Sequence, residues 1–401
     1  MEEVPQKIPV STDPIEMPKS DKGKTNWSRI FKSKLIRWIV LPLLIIFIAL
    51  ILFLKLDTGT AAVFTDNVLR PIIGSRNVIY LEKIFFNSSD TFDRLTSDIH
   101  PVSAPKFDPG TAVATNTAKN NLDLKPIVMD NKFKPLSGEG IWKDYPLALF
   151  PGKEAMAYTF VRSDPQRSYS ITTLVQMDMS QMKLGSVAGT QQPGGPVGKP
   201  GPGVVPRDII NSGRLIAAFD GGFQYKDGQF GMIVGNTTYL PLEKNLGTLV
   251  GYNDGSLKII NYTGQNLGND IAFVRQNCPI LIENGKVEVT QPQNRKFWGR
   301  LVTGTFDIYT WRSGLGLTAN GNLIFAVGNN LTPITLADAL KAAGAVNAIQ
   351  LDINPFWVRF NIFEPAGPGK YTSTTLNKEL TDGSKEYLNG YTKDFFYVYK
   401  K

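Results

Sequence analysis

Residues 334–352 read ITLADALKAAGAVNAIQLD, and this stretch decides the fold. Its first part predicts a helix, because Thr335 fits the N-cap, Asp338 follows three positions later as a short capping-box partner, and Gly344 is a typical stop. Small and apolar residues at helical spacing form the stripe that this helix would bury, namely Ala337, Leu340 and Ala343. We therefore expect a strand, helix, strand unit.

The residues after Gly344 predict a buried strand, since AIQLD is mostly apolar. This strand ends at Asp352, and the carboxyl end of a strand is a common place for functional groups. The turn Ile353-Asn354-Pro355-Phe356-Trp357 follows. Its amide and aromatic side chains could bind a sugar, with Trp357 as the stacking platform, or could form a capped turn over an aromatic core.

Short apolar runs rich in β-formers fill the chain from Ala157 onward: AYTFV, ITTLVQM, LIAAFD, GMIV, TLVGY, LKIINY, IAFVR, PILIE and LIFAV. Asp254-Gly255, Asn284-Gly285 and Asn320-Gly321 are typical hairpin turns, so antiparallel pairing should dominate. The pattern predicts an α+β fold, a mostly antiparallel strand-rich domain with few helices over residues 141–401. Residues 193–206, rich in proline and glycine, predict a long loop within this domain, with a flap over a site as one role.

The 401 residues allow two or three folding units, and they contain one cysteine and one histidine. Disulfide frameworks, zinc sites with several thiolates and histidine-cluster metal sites are therefore excluded. A catalytic triad is disfavoured because His100 precedes the strand-rich domain. Cys278 is interpreted as a buried apolar residue rather than as a reactive thiol.

Residues 38–54, WIVLPLLIIFIALILFL, carry no charge, and we predict a transmembrane helix over residues 38–57 rather than a cleaved signal peptide. Basic residues cluster just before it, and by the positive-inside rule residues 1–37 form a disordered cytoplasmic tail. The domain beyond would then be extracytoplasmic, in a single-pass plasma-membrane protein. This topology accounts for much of the net charge of +8, and the scattered charges of the outer domain argue against nucleic acid.

Residues 58–140 predict a juxtamembrane helical segment followed by a connector rich in proline. The helix is indicated by six apolar residues near one face: Val78, Leu81, Ile84, Phe85, Phe92 and Leu95. We expect this face to pack against the main domain or against a second copy of the chain, and the oligomeric state stays open.

Further candidate site residues follow two other strands. Asp220-Gly221-Gly222-Phe223 ends LIAAFD, and its glycines could bring backbone amides to a ligand or could make a plain β-turn. Arg312 opens the strand of SGLGLT, where a guanidinium could grip phosphate or form a surface ion pair. Arg275 ends IAFVR and is a candidate for substrate binding.

From about Met156 to Tyr399 the chain resembles the phosphodiester glycosidase family. The resemblance rests on Asp220-Gly221-Gly222-Phe223, on Arg312-Ser313-Gly314-Leu315 and on residues 334–352, in that order. Aspartate stands at position 220 where the family usually has asparagine, and residues 353–357 replace a glycine-rich turn that bears serine. Pro355 offers no amide to a phosphate. The altered turn resembles that of a bacterial membrane-anchored branch of the family.

The resemblance and the residues together predict a membrane-anchored, extracytoplasmic hydrolase of glycosyl or glycosyl-phosphodiester linkages in envelope polysaccharide. Asp220 and Asp352 would face each other, one as nucleophile or base and one as acid, while Arg312 would hold the phosphate. Further substrate contacts would come from Gly221, Gly222, Arg275, Asn354 and Trp357.

Two alternatives stay open. The oxygens of Asp220, Asp352 and Asn354 could hold a Ca²⁺ or Mg²⁺ ion. The domain could also be a non-catalytic glycan-binding or scaffolding module of the envelope, with Trp298, Trp311 and Trp357 as a sugar platform.

Overall fold

The computed structural model describes Pro42 and residues 64–97, 102–107, 121–196, 198–289 and 308–401. The chain divides into two compact units, residues Met1–Asp57 and Thr58–Lys401. The predicted tail, the predicted transmembrane helix apart from Pro42, His100 and Trp298 all lie outside the described residues. Within those ranges, no helix has both the length and the apolar character that a membrane span needs.

The second unit is built mainly from eighteen strands among its described residues. In chain order they are β1 (Lys143–Asp144), β2 (Met156–Val161), β3 (Thr172–Met177), β4 (Met182–Val187), β5 (Leu215–Asp220), β6 (Met232–Val234), β7 (Thr237–Leu240), β8 (Leu246–Tyr252), β9 (Leu257–Tyr262), β10 (Ile271–Gln276), β11 (Ile280–Glu283), β12 (Lys286–Val287), β13 (Thr310–Thr318), β14 (Leu323–Leu331), β15 (Ala345–Ile353), β16 (Phe360–Pro365), β17 (Tyr371–Thr375) and β18 (Phe395–Lys400).

Five α-helices lie in the same described part. They are α1 (Arg70–Thr96), which a π-helical turn at Thr65–Leu69 precedes, α2 (Arg207–Asn211), α3 (Tyr225–Gly228), α4 (Pro333–Ala342) and α5 (Ser384–Asn389).

The strands form three sheets, with the orders β1-β2-β3-β14-β13-β15-β11-β12, β7-β6-β10-β8-β9 and β17-β16-β5-β18-β4. Neighbouring strands pair antiparallel throughout these described sheets. The prediction of a strand-rich, mostly antiparallel fold with few helices is therefore confirmed. Apolar side chains from all three sheets share one core, where the ring of Phe219 packs on those of Phe325, Phe360 and Phe396.

The three predicted hairpin turns are confirmed. Asp254-Gly255 joins β8 to β9, Asn284-Gly285 joins β11 to β12, and Asn320-Gly321 joins β13 to β14. Asn284 and Gly285 both adopt a positive φ, of 50° and 77°. Asparagine and glycine tolerate this conformation best, so the dipeptide fixes the turn.

Helix α4 is present where the sequence predicts it, but its cap is one turn earlier. Thr332 is the N-cap, and the Thr335 amide and hydroxyl complete the capping box from the third helical position. The prediction of Thr335 as N-cap and Asp338 as its partner is wrong, because Pro333 at the first helical position extends the helix upstream. The predicted stripe is buried, and Gly344 follows the helix with φ of 97°.

Helix α1 lies in the segment where a helix is predicted, but most of the predicted apolar face does not pack against the domain. Val78 is buried, whereas Leu81, Ile84, Phe92 and Leu95 are exposed. The helix is held by polar contacts, because the Arg167 guanidinium donates to both carboxylate oxygens of Asp90 at 2.8 and 2.9 Å. This ion pair therefore attaches the helix to the domain.

Residues 193–206 join strands of one sheet, since β4 and β5 both pair with β18. The proline-rich stretch is therefore a loop within the domain, as predicted, and not a linker. The Tyr225 amide donates to the Gln192 side-chain oxygen at 2.8 Å, so the loop starts beside the turn that follows Asp220.

Candidate active site

Asp220 and Asp352 meet in the interior, where the ends of β5 and β15 come together. They are 2% and 3% exposed. The Ser313 hydroxyl donates to Asp220 Oδ2 at 2.5 Å and accepts from the Asp352 amide at 3.0 Å, while that amide also lies 3.3 Å from Asp220 Oδ2. Ser313 therefore links the two aspartates, which are 132 residues apart in the chain.

The Asp220 carboxylate is held by backbone and hydroxyl donors. Besides Ser313, the Arg359 amide donates to Asp220 Oδ1 at 2.9 Å. Burial raises the pKa of Asp220 to about 7, and the negative charge of Asp352 adds to the rise, while these hydrogen bonds and Lys393 oppose it. The Asp220 carboxyl can therefore carry a proton near neutral pH.

Asp352 has a different partner, the ammonium group of Lys393, which donates to Asp352 Oδ2. The Ile353 amide donates to Asp352 Oδ1 at 2.9 Å. Burial raises the pKa of Asp352 to about 6, and Lys393 limits the rise by favouring the charged form. Of the two carboxyls, Asp352 is thus the one more readily ionised.

Lys393 was missed by the sequence reasoning. Its side chain is 2% exposed, and its ammonium lies 4.6 Å from the centre of the Trp357 ring. It lies two residues before β18, whose first residue Phe395 pairs with Asp220 at the end of β5. A lysine two residues before the apolar run FFYVY is the signal that could have found it, since lysine is seldom buried unless paired.

Trp357 and Asn354 occupy the turn after Asp352, as the sequence places them. Trp357 is half-buried over Lys393 and in edge contact with Phe356. Asn354 has φ of 84°, and its side-chain oxygen accepts from the Phe356 amide at 3.2 Å. Asn354 therefore caps the turn, which is the plainer of its two predicted roles, while Trp357 lies beside the carboxylate site.

Arg275 is not at the carboxylates but beneath the glycine turn. Its guanidinium donates to both oxygens of Asp394 at 2.7 and 3.1 Å, and also to the backbone carbonyls of Phe223, Phe230 and Gln276. Its side chain is wholly buried. These protein acceptors occupy the guanidinium, so the geometry argues against the predicted substrate contact.

The paired glycines make room for this ion pair. A Cβ at Gly221 would collide with Asp394, and one at Gly222 would collide with Arg275. The Gly222 amide donates to Asp394 Oδ2 at 2.9 Å, so it faces protein rather than a ligand. The glycines are explained by the close approach of the Arg275–Asp394 pair, and the predicted ligand contact of Gly222 has no support here.

Arg312 also lies apart from the carboxylates. Its neighbour Ser313 faces Asp220, and successive side chains of a strand point to opposite faces. The Arg312 guanidinium donates to the Leu331 and Ile308 carbonyls and to the Gln350 side-chain oxygen, at 2.8 to 3.1 Å. The geometry therefore argues against Arg312 as the phosphate ligand, since its donors serve the sheet.

Neither a metal centre nor a reactive thiol stands out. Among the described residues, no three acidic, histidine or cysteine side chains are grouped to hold a metal ion. Beside Asp352 the cationic group is the Lys393 ammonium, and the Asn354 oxygen is used by the turn. Cys278 is fully buried, and burial raises the pKa of its thiol, which fits its interpretation as a core residue.

Residues 213–352 match the family model of the phosphodiester glycosidases. Over this segment, about a third of the chain, the sequence is similar to that family. The match includes Asp220, Ser313 and Asp352 and ends before Trp357 and Lys393. No curated protein matches the chain.

Among the solved structures that resemble this chain are two of low sequence identity. The catalytic domain of zebrafish N-acetylglucosamine-1-phosphodiester alpha-N-acetylglucosaminidase, auto-inhibited by pro-peptide, is 12% identical over 71% of this chain and 100% of that one, with a TM-score of 0.39. A hypothetical protein from Synechocystis is 14% identical over 62% of this chain and 63% of that one, with a TM-score of 0.32. Likenesses this weak support no inference about substrate.

Proposed function

We propose that the strand-rich domain, which is similar to the phosphodiester glycosidases, hydrolyses a glycosyl or glycosyl-phosphodiester linkage, with Asp220 as the acid and Asp352 as the base or nucleophile. The observation that carries this proposal is the asymmetry of the two carboxyls. They share Ser313, but Lys393 binds only Asp352. Pairs of acids whose surroundings push their pKa values apart are typical of acid–base catalysis.

The two pKa values set the roles. With a pKa of about 7, the Asp220 carboxyl retains its proton when Asp352, at about 6, has lost its own. Asp220 would give that proton to the leaving oxygen as the bond from the anomeric carbon breaks. Asp352 would take a proton from the attacking water, or attack the anomeric carbon itself.

Lys393, rather than the predicted Arg312, would hold the phosphate of the substrate. A glycosyl phosphate needs a cation for the charge on its phosphate oxygens, and the Lys393 ammonium is the cation at the carboxylates. The half-buried Trp357 ring beside it offers an aromatic face to a sugar. The deep burial of both acids means that Lys393 and Trp357 must shift to admit a substrate.

We further propose that this chain acts on envelope polysaccharide outside the plasma membrane. The support is in the sequence: an uncharged apolar run at residues 38–54, with basic residues gathered before it. Protease accessibility of the domain in intact cells, set against its accessibility after lysis, tests this orientation. Protection of the domain in intact cells would contradict it.

The activity is tested by assaying the full chain in detergent on methyl phosphodiesters of several 1-phosphorylated sugars and measuring the sugar released. Asp352→Asn should lower kcat/KM about 10³-fold, as expected for loss of a catalytic acid or base. Asp208→Asn, at an exposed carboxylate, is the matched control and should leave kcat/KM unchanged. Turnover by Asp352→Asn equal to that of the control would remove Asp352 from the mechanism.

A non-catalytic glycan-binding domain is the second candidate, and the burial of Asp220 and Asp352 favours it. Protein donors already reach all four carboxylate oxygens and leave little exposed surface for substrate. Binding of envelope glycan by the wild type without release of sugar from any of the diesters would favour this function over hydrolysis.

A further inference from the structure

A cavity of about 470 Å³ lies at the edge of the eight-stranded sheet, apart from the carboxylates. Its volume is within the range of small-ligand sites. The residues that line it are Pro105, Lys106, Phe107, Lys143, Tyr158 and Lys378.

Three separate segments meet to form this cavity. Phe107 forms a backbone bridge with Asn377, which brings residues 105–107 next to Lys378. The ring of Phe107 packs on that of Tyr158, with 4.3 Å between centroids. Lys143 on β1 pairs with Tyr158 on β2, so both side chains lie on one face of the sheet. The cavity thus has an aromatic wall and one lysine from each segment.

The described residues leave the three lysines unpaired. Lys106, Lys143 and Lys378 are exposed, and the described residues offer their ammonium groups no ion pair or hydrogen bond. The acidic neighbours in sequence, Asp144 and Glu379, do not line the cavity. Like charges that face one space repel each other, and an anion placed among them would relieve the repulsion.

We propose that this cavity binds a phosphate-bearing sugar unit of an anionic glycan. The lysines would hold the phosphate and the aromatic wall would contact the sugar ring. A concave site with an aromatic wall fits such a unit better than it fits the flat surface of a membrane. The site is additional to the proposed hydrolytic site and does not depend on its activity.

The position of the cavity suits a polymer. Strand β1 lies four strand positions from β13, which carries Ser313, and at the usual strand spacing this is roughly 20 Å. One phosphate of a long glycan can occupy the cavity while another part of the same chain reaches the carboxylates. Holding the polymer at two points raises the effective concentration of substrate.

The test is calorimetric titration of the full chain in detergent, at low ionic strength, with glucose 1-phosphate, inorganic phosphate and glucose as separate probes. The cavity variant is Lys106→Ala/Lys143→Ala/Lys378→Ala. The matched control, Lys132→Ala/Lys370→Ala/Lys385→Ala, removes the same charge from exposed lysines elsewhere. Asp352→Asn serves to detect binding of the sugar phosphate at the carboxylate site.

We expect the cavity variant to bind glucose 1-phosphate at least about tenfold more weakly, which corresponds to about 1.4 kcal/mol. The control variant should bind it as the wild type does, and glucose should bind more weakly than its phosphate. Asp352→Asn should keep the lysine-dependent binding, whatever it changes at the carboxylate site. Unchanged melting temperatures would show that the variants are folded. If the melting temperature of the cavity variant alone falls strongly, the three single lysine-to-alanine variants are titrated in its place.

Several results would overturn the proposal. These are no binding of glucose 1-phosphate by the wild type, equal weakening in the two triple variants, or loss of binding only in Asp352→Asn. Inorganic phosphate binding as tightly as glucose 1-phosphate would remove the glycan from the proposal. The last probe is vesicles of phosphatidylcholine with phosphatidylglycerol. If the protein binds them through the three lysines but binds no sugar phosphate, the ligand of this site is a membrane surface and not a glycan.

Discussion

Two buried ion pairs involve the adjacent residues Lys393 and Asp394, and they differ in the number of hydrogen bonds that the cation makes. The Arg275–Asp394 pair has five hydrogen bonds from one guanidinium, to a carboxylate and three carbonyls. In the Lys393–Asp352 pair the ammonium makes one hydrogen bond, to Asp352, and it also lies over the Trp357 ring. We infer that the saturated pair holds the framework and that the unsaturated pair is the one available for chemistry.

The adjacency explains how one short segment serves both purposes. Lys393 and Asp394 are the last two residues before β18, and their side chains have different partners. Lys393 reaches Asp352, while Asp394 reaches Arg275 and the Gly222 amide. The framework pair fixes the position of the reactive one.

The largest effect should come from breaking the framework pair. Arg275→Met leaves the Asp394 carboxylate buried without its cation, and we expect the free energy of unfolding to fall by about 3–5 kcal/mol. Arg214→Met is the control, because the Arg214–Asp208 contact is at the surface, at 3.9 Å, and should contribute at most about 1 kcal/mol. Chemical denaturation of the full chain measures both. A small loss for Arg275→Met would show that the pair is not structural.

Asp220→Asn tests how much the buried carboxyl opposes folding at high pH. Because the folded state raises the pKa of Asp220 to about 7, its protonation favours folding at low pH, and this contribution is lost as the pH rises through about 7. Asparagine cannot ionise, so the melting temperature of Asp220→Asn minus that of the wild type should increase from pH 4 to pH 8. The corresponding change in free energy is on the order of 4 kcal/mol. A difference that stays constant with pH would show that the pKa of Asp220 is not raised.

Lys393→Met should change the pH profile rather than only the rate. The wild-type profile of kcat/KM should rise through the pKa of Asp352, at about 6, and fall through that of Asp220, at about 7. Without the ammonium, the pKa of Asp352 should increase. The rising part of the kcat/KM profile should therefore shift to a pH that is higher by at least about one unit. Lys385→Met, at an exposed lysine, should leave the profile in place. A uniform loss of rate at every pH would contradict electrostatic control by Lys393.

Trp357→Ala should have the smallest effect of the four. Trp357 offers one aromatic face to a sugar, and its loss should raise KM about tenfold with little change in kcat. Trp357→Phe keeps an aromatic face and should recover much of the affinity. If kcat falls while KM stays constant, the ring positions Lys393 instead of binding substrate.

The sequence predicted the convergence of Asp220 and Asp352 but not the groups around them. Both acids end apolar strands, and strand ends are readable from apolar runs and turn residues. The sequence does not show whether Arg312 or Ser313 faces the carboxylates, because β13 is buried at every position except the half-buried Trp311. A strand buried on both faces has no alternation of polar and apolar residues, so the pattern does not show which residue faces the site.

The amino-acid sequence by itself determined the local features of this protein: the hairpins at its glycine dipeptides, the extent of α4 after its cap, the strands and the two acids at their ends. Short-range rules suffice there, because neighbouring residues fix turns, caps and periodicity. Only the tertiary structure decided that Lys393 joins Asp352, that Arg275 supports the glycine turn and that Asp90 holds α1 through Arg167. These partners are 41, 119 and 77 residues apart, and the pairing of charges over such distances is set by the arrangement of the sheets.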